Sequence, residues 1–249
     1  MHVLSVDWDF FFCDTAQFDW GHRESTFFAE AIWGLRAGMR SLFTGESAIE
    51  IMQPDKGRLR GFWKRFAHWL PPRLLIVCES HLSLLEFLRA NNLDKSTIWN
   101  FDAHHDLGYE MQEDNCGNWA LKAFEEGLLS DYRLVYPEWR KALPERKEGV
   151  PVPAGLKVDI MYEIPRIEFF DIVFICRSGS WTPTWSDAAW QRFIRYFKTN
   201  HPMTWLDKTF APFALKSRSP NMAEAKKLAA DHAACLTRLG VVPLQAPTA

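Results

Sequence analysis

The chain has 249 residues, 47% of them hydrophobic, enough to bury a sizeable core as one large domain or two small ones. Its 29 basic and 31 acidic residues leave a formal net charge of −2, so no global positive field advertises nucleic acid as a partner. No apolar run approaches the ~20 residues of a membrane span, and the opening Met1-His2-Val3-Leu4 lacks the basic start and long apolar stretch of a secretion signal.

The first element in chain order is an apolar run, residues 3–7, that reads as a buried strand and ends in Asp7-Trp8-Asp9. A helical pattern follows over 25–42. Residues 53–73 then break the rhythm as a basic and aromatic insertion. Lys56, Arg58, Arg60, Lys64, Arg65 and Arg73 interleave there with Phe62, Trp63, Phe66 and Trp69. The aromatics recur at helical spacing, which predicts a short amphipathic helix packed on the body. A groove for an extended peptide is the functional alternative, with membrane-surface contact third. A second strand, 74–78, ends in Glu79-Ser80-His81, and a helix is expected over 80–90 with Ser80 as its cap. The third strand, 97–102, runs into Asp102-Ala103-His104-His105-Asp106. Beyond it lie a helix at 118–129 capped by Asn118, strands at 133–136 and 170–176, helices at 186–197 and 222–239, and a frayed tail at 243–249.

Strands alternating with helices predict a three-layer α/β/α fold with a mainly parallel sheet. The strand runs are continuously apolar, as strands buried on both faces should be. No internal repeat or low-complexity linker interrupts the chain, so 1–249 reads as one domain. In such sheets ligands bind beyond the carboxyl ends of the strands, which is where the acid clusters fall. The five cysteines, Cys13, Cys78, Cys116, Cys176 and Cys235, are widely spaced, without a Cys-x-x-Cys pair. Cys78 and Cys176 lie inside strand-like runs and read as buried free thiols. That usage points to a reducing compartment, the cytosol.

The densest chemistry is Asp-Ala-His-His-Asp. A strand tip presents alternate side chains on one face, so Asp102, His104 and Asp106 are expected to converge. Asp7 and Asp9 repeat the i, i+2 spacing at another strand end, and Glu79 and His81 at a third. Acids after strands also cap helices or close turns, a role that serves for Asp7 and Asp9 but not for three polar groups on one face. Four carboxylates meeting without a counter-ion would repel and raise some of their pKa values steeply. Two divalent cations would neutralise them, and oxygen with imidazole donors suits manganese, iron or zinc. His2, His22, His68, His201 and His232 lack such a setting and read as surface or core residues.

These residues carry a resemblance. Ser5-Val6-Asp7-Trp8-Asp9 resembles the Ser-x-Asp-x-Asp motif of arginases and other ureohydrolases, and Asp102-Ala103-His104-His105-Asp106 resembles their Asp-Ala-His-x-Asp motif. His81 stands for the histidine of their Gly-Gly-Asp-His motif, although Glu79-Ser80 departs from it; Phe12 and Cys13 likewise replace the closing Asp-Pro. The Ser-x-Asp-x-Asp strand comes first here rather than last. That permuted order, with Asn118-Trp119 after the histidine motif, resembles an arginase-like family that includes peptide arginases. The resemblance covers roughly residues 1–185.

It implies an arginase/deacetylase-like domain and two manganese ions. One ion would take His81, Asp102, Asp106 and Asp7; the other would take His104, Asp9 and bridging oxygens from Asp102 and Asp7. The implied reaction is hydrolysis of the arginine guanidinium group within a peptide, giving ornithine and urea. A guanidinium is a resonance-stabilised cation and needs a strong nucleophile, which paired divalent ions supply by acidifying water. An acid must hold the cation, for which Glu79, Glu110 and Glu163 are candidates. Asn118 and Trp119 are expected to bind substrate, His105 to transfer a proton, and Trp8, Trp99 and Trp119 to wall an open cleft. The competing readings are an amide deacylase with a related metal site, a haloacid-dehalogenase-type phosphatase with Asp7 as nucleophile, and a non-catalytic metalloprotein or peptide-binding module.

Overall fold

In chain order the strands are β1 (His2–Asp7), β2 (Leu74–Cys78), β3 (Ser96–Phe101), β4 (Leu129–Val135), β5 (Lys157–Met161) and β6 (Ile172–Cys176). They come from a computed structural model that describes residues 1–13, 29–66, 72, 74–108, 113–142, 151–164, 169–200, 217–218 and 220–241. All pair in parallel into one sheet of 6 strands, ordered β2-β6-β1-β3-β4-β5. β1, β2 and β6 are nearly featureless in burial, which is the reason their sequences read as unbroken apolar runs. β5 escaped the sequence reading because it is a thinly covered edge strand: Lys-Val-Asp-Ile-Met is only partly buried, with Lys157 and Ile160 exposed, whereas β2 at the other edge is buried.

Helices cover both faces. Leu4, Val6, Phe101, Val173 and Ile175 point to one side, against α1 (Ala29–Thr44), α2 (Ala48–Ile51), α3 (Lys56–Phe62), α6 (Asp187–Asn200) and α7 (Met222–Arg238). Val3, Ile76, Ile98 and Phe174 point to the other, against α4 (Leu82–Ala90) and α5 (Trp119–Glu125). The expected three-layer α/β/α architecture is the one observed. Among the described residues no helix is long and apolar enough to cross a membrane.

Over residues 53–66 the basic and aromatic segment forms α3 and a following 3-10 turn packed on the body. Asp55 caps α3 by accepting from the backbone N–H groups of Gly57 and Arg58 at 2.7 and 3.0 Å. Phe62, Trp63 and Phe66 are buried, while Lys56, Arg60, Lys64 and Arg65 are exposed. Trp63 is only 2% exposed and its ring centroid lies 4.4 Å from that of Phe197, so it is core rather than a wall offered to a peptide. Trp69, Arg73, the start of the 25–42 helix and the 243–249 tail lie outside the described residues.

Two expected caps divide. His81, not Ser80, holds the cap position of α4, but Ser80 Oγ one residue earlier accepts the Leu82 N–H at 3.1 Å and so does the work of a cap. Asn118 holds the cap position of α5 without capping it. Its side chain instead accepts from Asn115 N–H and donates to the Glu113 carbonyl, bracing the preceding turn.

Candidate metal centre

Each cluster begins where a strand stops. β1 ends at Asp7, whose Oδ1 accepts the Asp9 N–H at 2.9 Å and so caps a 3-10 helix over Trp8–Phe11. Capping and site-building are therefore the same residue's two tasks, because Oδ2 faces elsewhere. β3 ends at Phe101, and residues 102–106 form a loop instead of extended strand. Asp102 Oδ1 accepts the His104 N–H at 2.7 Å, curling the chain, and Asp106 adopts a left-handed φ of 54°. Asp tolerates that conformation better than most residues. The expected convergence of Asp102, His104 and Asp106 thus occurs, but by a turn rather than by the pleat of a strand.

Two groups of ligand atoms result. His81 Nδ1 lies 3.1 Å from Asp7 Oδ2, 3.2 Å from Asp102 Oδ2 and 3.4 Å from Asp106 Oδ2. His104 Nδ1 lies 2.8 Å from Asp9 Oδ2 and 3.6 Å from Asp102 Oδ1. Asp102 therefore turns one oxygen to each histidine. His81, Asp102 and Asp106 form one set with metal-ligand spacing, and Asp9, Asp102 and His104 another. Asp9 Oδ2 is buried and, although close to His104 Nδ1, makes no well-formed hydrogen bond, which is costly unless something else is coordinated there. The donor set of carboxylates and imidazoles, with that orphaned oxygen, fits divalent cations.

Supporting groups orient these donors. Ser5 Oγ sits 2.9 Å from His81 Nε2, so an Nε2–H donated to Ser5 leaves the Nδ1 lone pair facing the carboxylates. Phe174 stacks beneath the imidazole at 5.8 Å. Trp119 Nε1–H donates to Asp106 Oδ2 at 2.6 Å, and Ala103 N–H to Asp9 Oδ1 at 3.1 Å, tying the β1 and β3 loops together. Ser178 Oγ donates to Asp7 Oδ2 at 2.7 Å from the loop after β6. That loop is anchored by Arg177, buried between Glu79 and Asp187, and by Arg218 on Asp187. Gly179 follows so closely that a Cβ there would come within 2.1 Å of Glu79 Oε1.

Electrostatics reflect the crowding. Burial, then Asp9 and Asp102, push Asp7 well above the usual carboxylate range, and burial with Asp102 pushes Asp106 up to about 7. Asp102 goes the other way: burial opposes its charge, but hydrogen bonds from His104 and His81 hold it well below that range. His81 is raised despite burial, because Asp102, Asp106 and Asp7 all favour its charged form. Without cations the cluster shares protons as one unit.

The remaining expected residues find other places. Glu79 is committed to Arg177, with Arg177 Nε donating to Oε2 at 2.8 Å, so it is not a free clamp for a guanidinium. Glu163 is exposed after β5, the outermost strand and two places from β3. Glu110 lies outside the described residues. Asn118 and Trp119 are buried supports rather than substrate contacts, and Trp8, Trp99 and Trp119 are core, not cleft walls. His105 points away from the two centres: its Nδ1 accepts the Leu107 N–H at 3.0 Å. Burial, His104 and Arg140 push its pKa down to about 4, leaving it a weak base and no acid at neutral pH.

Ser178 and Trp181, both beside the site, carried no reading from sequence; Ser5 was read only as a motif residue, and Cys176 only as the buried free thiol it is. Cys176-Arg177-Ser178 ends an apolar strand just as the three clusters do, and that strand-end position was the available signal. Trp181 lies beside His104, the two ring centroids 5.3 Å apart. Compared with known proteins, the chain matches no protein-family model, no curated protein and no solved structure.

Proposed function

We propose that the chain is a binuclear metal hydrolase of the arginase-like kind, cleaving the guanidinium group of arginine held within a peptide to give ornithine and urea. The observation that carries the reading is Asp102, which directs Oδ2 to His81 and Oδ1 to His104 and so stands between two sets of ligands. A single-ion site has no need of a second set. His81, Asp7, Asp106 and Asp102 would hold the inner ion, and Asp9, His104 and Asp102 the outer one. The resemblance implies manganese for both. Bound there, divalent ions supply Lewis acidity and water with a pKa lowered from ~15.7 towards ~7.

The chain's own groups set the approach. The His81 side chain is 2% exposed, whereas that of His104 is 23% exposed, so substrate enters on the His104 side. Trp181 there offers an aromatic face on which a planar guanidinium can stack. Substrate contacts remote from the metals would position the guanidinium carbon for attack. The phosphatase alternative requires an unencumbered Asp7. Its Oδ1 already accepts from Asp9 N–H and its Oδ2 from Ser178, so the geometry favours a ligand over a nucleophile.

The test is to load the protein with manganese, incubate it with free arginine and with arginine-containing peptides, and measure urea together with peptide mass. The expected result is metal-dependent conversion of arginine to ornithine, faster in peptides than in the free amino acid. Faster turnover of free arginine removes the peptide assignment. Two bound ions with no urea from any of these substrates removes the guanidinium assignment.

A further inference from the structure

His81 and Asp7 belong to strands that are not neighbours. His81 follows β2 and Asp7 ends β1, and β6 lies between them in the sheet. Any ion shared by the two is therefore held above the tip of β6. The residue at that tip is Cys176, the parallel register partner of both Asp7 and Cys78. Partners in register point to the same face of a sheet, so the Cys176 thiol rises beside Asp7. Its Sγ, a carboxylate oxygen of Asp7 and a ring nitrogen of His81 all lie within 4.8 Å of one another, and Cys176 is 0% exposed.

Cys78 does not compete for this place, since its Sγ donates to the backbone carbonyls of Ser80 and Ile175 at 3.2 and 3.8 Å. Cys13 Sγ is turned to Ile51 and Met52, and Cys235 is exposed on α7. The outer set, Asp9, Asp102 and His104, has only oxygen and nitrogen donors. The two centres therefore differ in softness, and softness selects metals.

We propose that Cys176 ligates the inner ion through sulfur, making that centre discriminate more strongly for a thiophilic divalent cation such as zinc over manganese than the outer centre, which has only oxygen and nitrogen donors. The inference rests on the binuclear reading above. Forming the metal–sulfur bond releases the thiol proton to solvent, with no change of oxidation state.

Cobalt(II) is the probe. Wild-type protein titrated with cobalt should develop an intense sulfur-to-cobalt charge-transfer absorption in the near ultraviolet. Cys176→Ser should lose that band while still binding two ions, and Cys78→Ser should keep it. Zinc affinity of Cys176→Ser at the inner centre should fall by at least about tenfold, with manganese affinity little changed. Two cobalt ions without the band, or a band that survives in Cys176→Ser, overturns the thiolate and leaves the binuclear reading standing. Failure of wild type to bind any cobalt overturns both. If Cys176→Ser does not fold, zinc X-ray absorption of the wild type decides alone. A sulfur scatterer at about 2.3 Å supports the proposal, and a shell of oxygen and nitrogen only refutes it.

Discussion

Trp119→Phe separates a support for the metal from a wall for the substrate. The indole is 0% exposed, its Nε1–H donates to Asp106 Oδ2 at 2.6 Å, and its ring lies 5.4 Å from that of His81. Phenylalanine keeps an aromatic ring at that place but has no donor. The same Asp106 oxygen lies 3.4 Å from His81 Nδ1, so the lost bond frees a ligand atom of the inner centre. Outer-sphere partners of this kind are worth about 10–100-fold in metal affinity, or roughly 1.4–2.7 kcal/mol. The smaller ring also leaves unfilled volume in a closed core, costing on the order of 1–3 kcal/mol of stability. Affinity for the inner ion is read by competition with a fluorescent chelator, and KM is measured at saturating metal. Weakened metal binding with unchanged KM is expected. An unchanged metal affinity with a raised KM would refute the assignment and return Trp119 to the substrate pocket.

Three further outcomes follow from the same geometry. Asp102→Ala should lower metal content at both centres whereas His105→Ala keeps both ions; metal analysis on variants shown to be folded by circular dichroism checks this, and the reverse pattern would invert the two faces of the loop. In the metal-free protein Asp106 is raised to about 7, so the stability it contributes declines as pH rises from about 4 through 7; Asp7, also raised, adds a loss that begins above about 4, and His81, raised too, a loss above about 6.5. Cations displace these protons, so the stability gained on adding metal, followed as a rise in Tm, should widen from pH 5 to pH 8; where metal stands at 100 times Kd the gain is about 2.7 kcal/mol per site, and a gain that shrinks with pH contradicts the proton-sharing cluster. Trp63→Ala should cost about 3–5 kcal/mol in chemical denaturation with metal stoichiometry intact, because the ring is 2% exposed among Phe62, Phe66, Phe193 and Phe197; a loss of peptide turnover without loss of stability would instead put it at a surface.

The fold class was legible in the sequence, edge strand β5 apart, and so were the Asp and His residues that the structure gathers into clusters able to hold metal. Strands buried on both faces must be continuously apolar, and a parallel sheet must gather its functional side chains at the carboxyl ends; Val3–Asp7, Leu74–Cys78 and Ile98–Asp102 meet both conditions on inspection. Periodicity found the aromatic side of α3 for the same kind of reason, since burying that stripe is what makes the helix worth forming. What one dimension does not contain is which strand lies beside which. Only the order β2-β6-β1-β3 brings His81 to Asp7 across Cys176 and sets Asp102 between two histidines. The i, i+2 spacing named residues that do converge, but for a partly wrong reason, because a turn, not a pleat, aims Asp106. Glu79, Asn118 and Trp119 show the limit most clearly. A polar residue near a strand end has the same letter whether it meets substrate, a buried arginine or a ligand's free oxygen. Partners distant in sequence decide among these, through contacts such as Arg177 with Glu79 that exist only once the chain is folded.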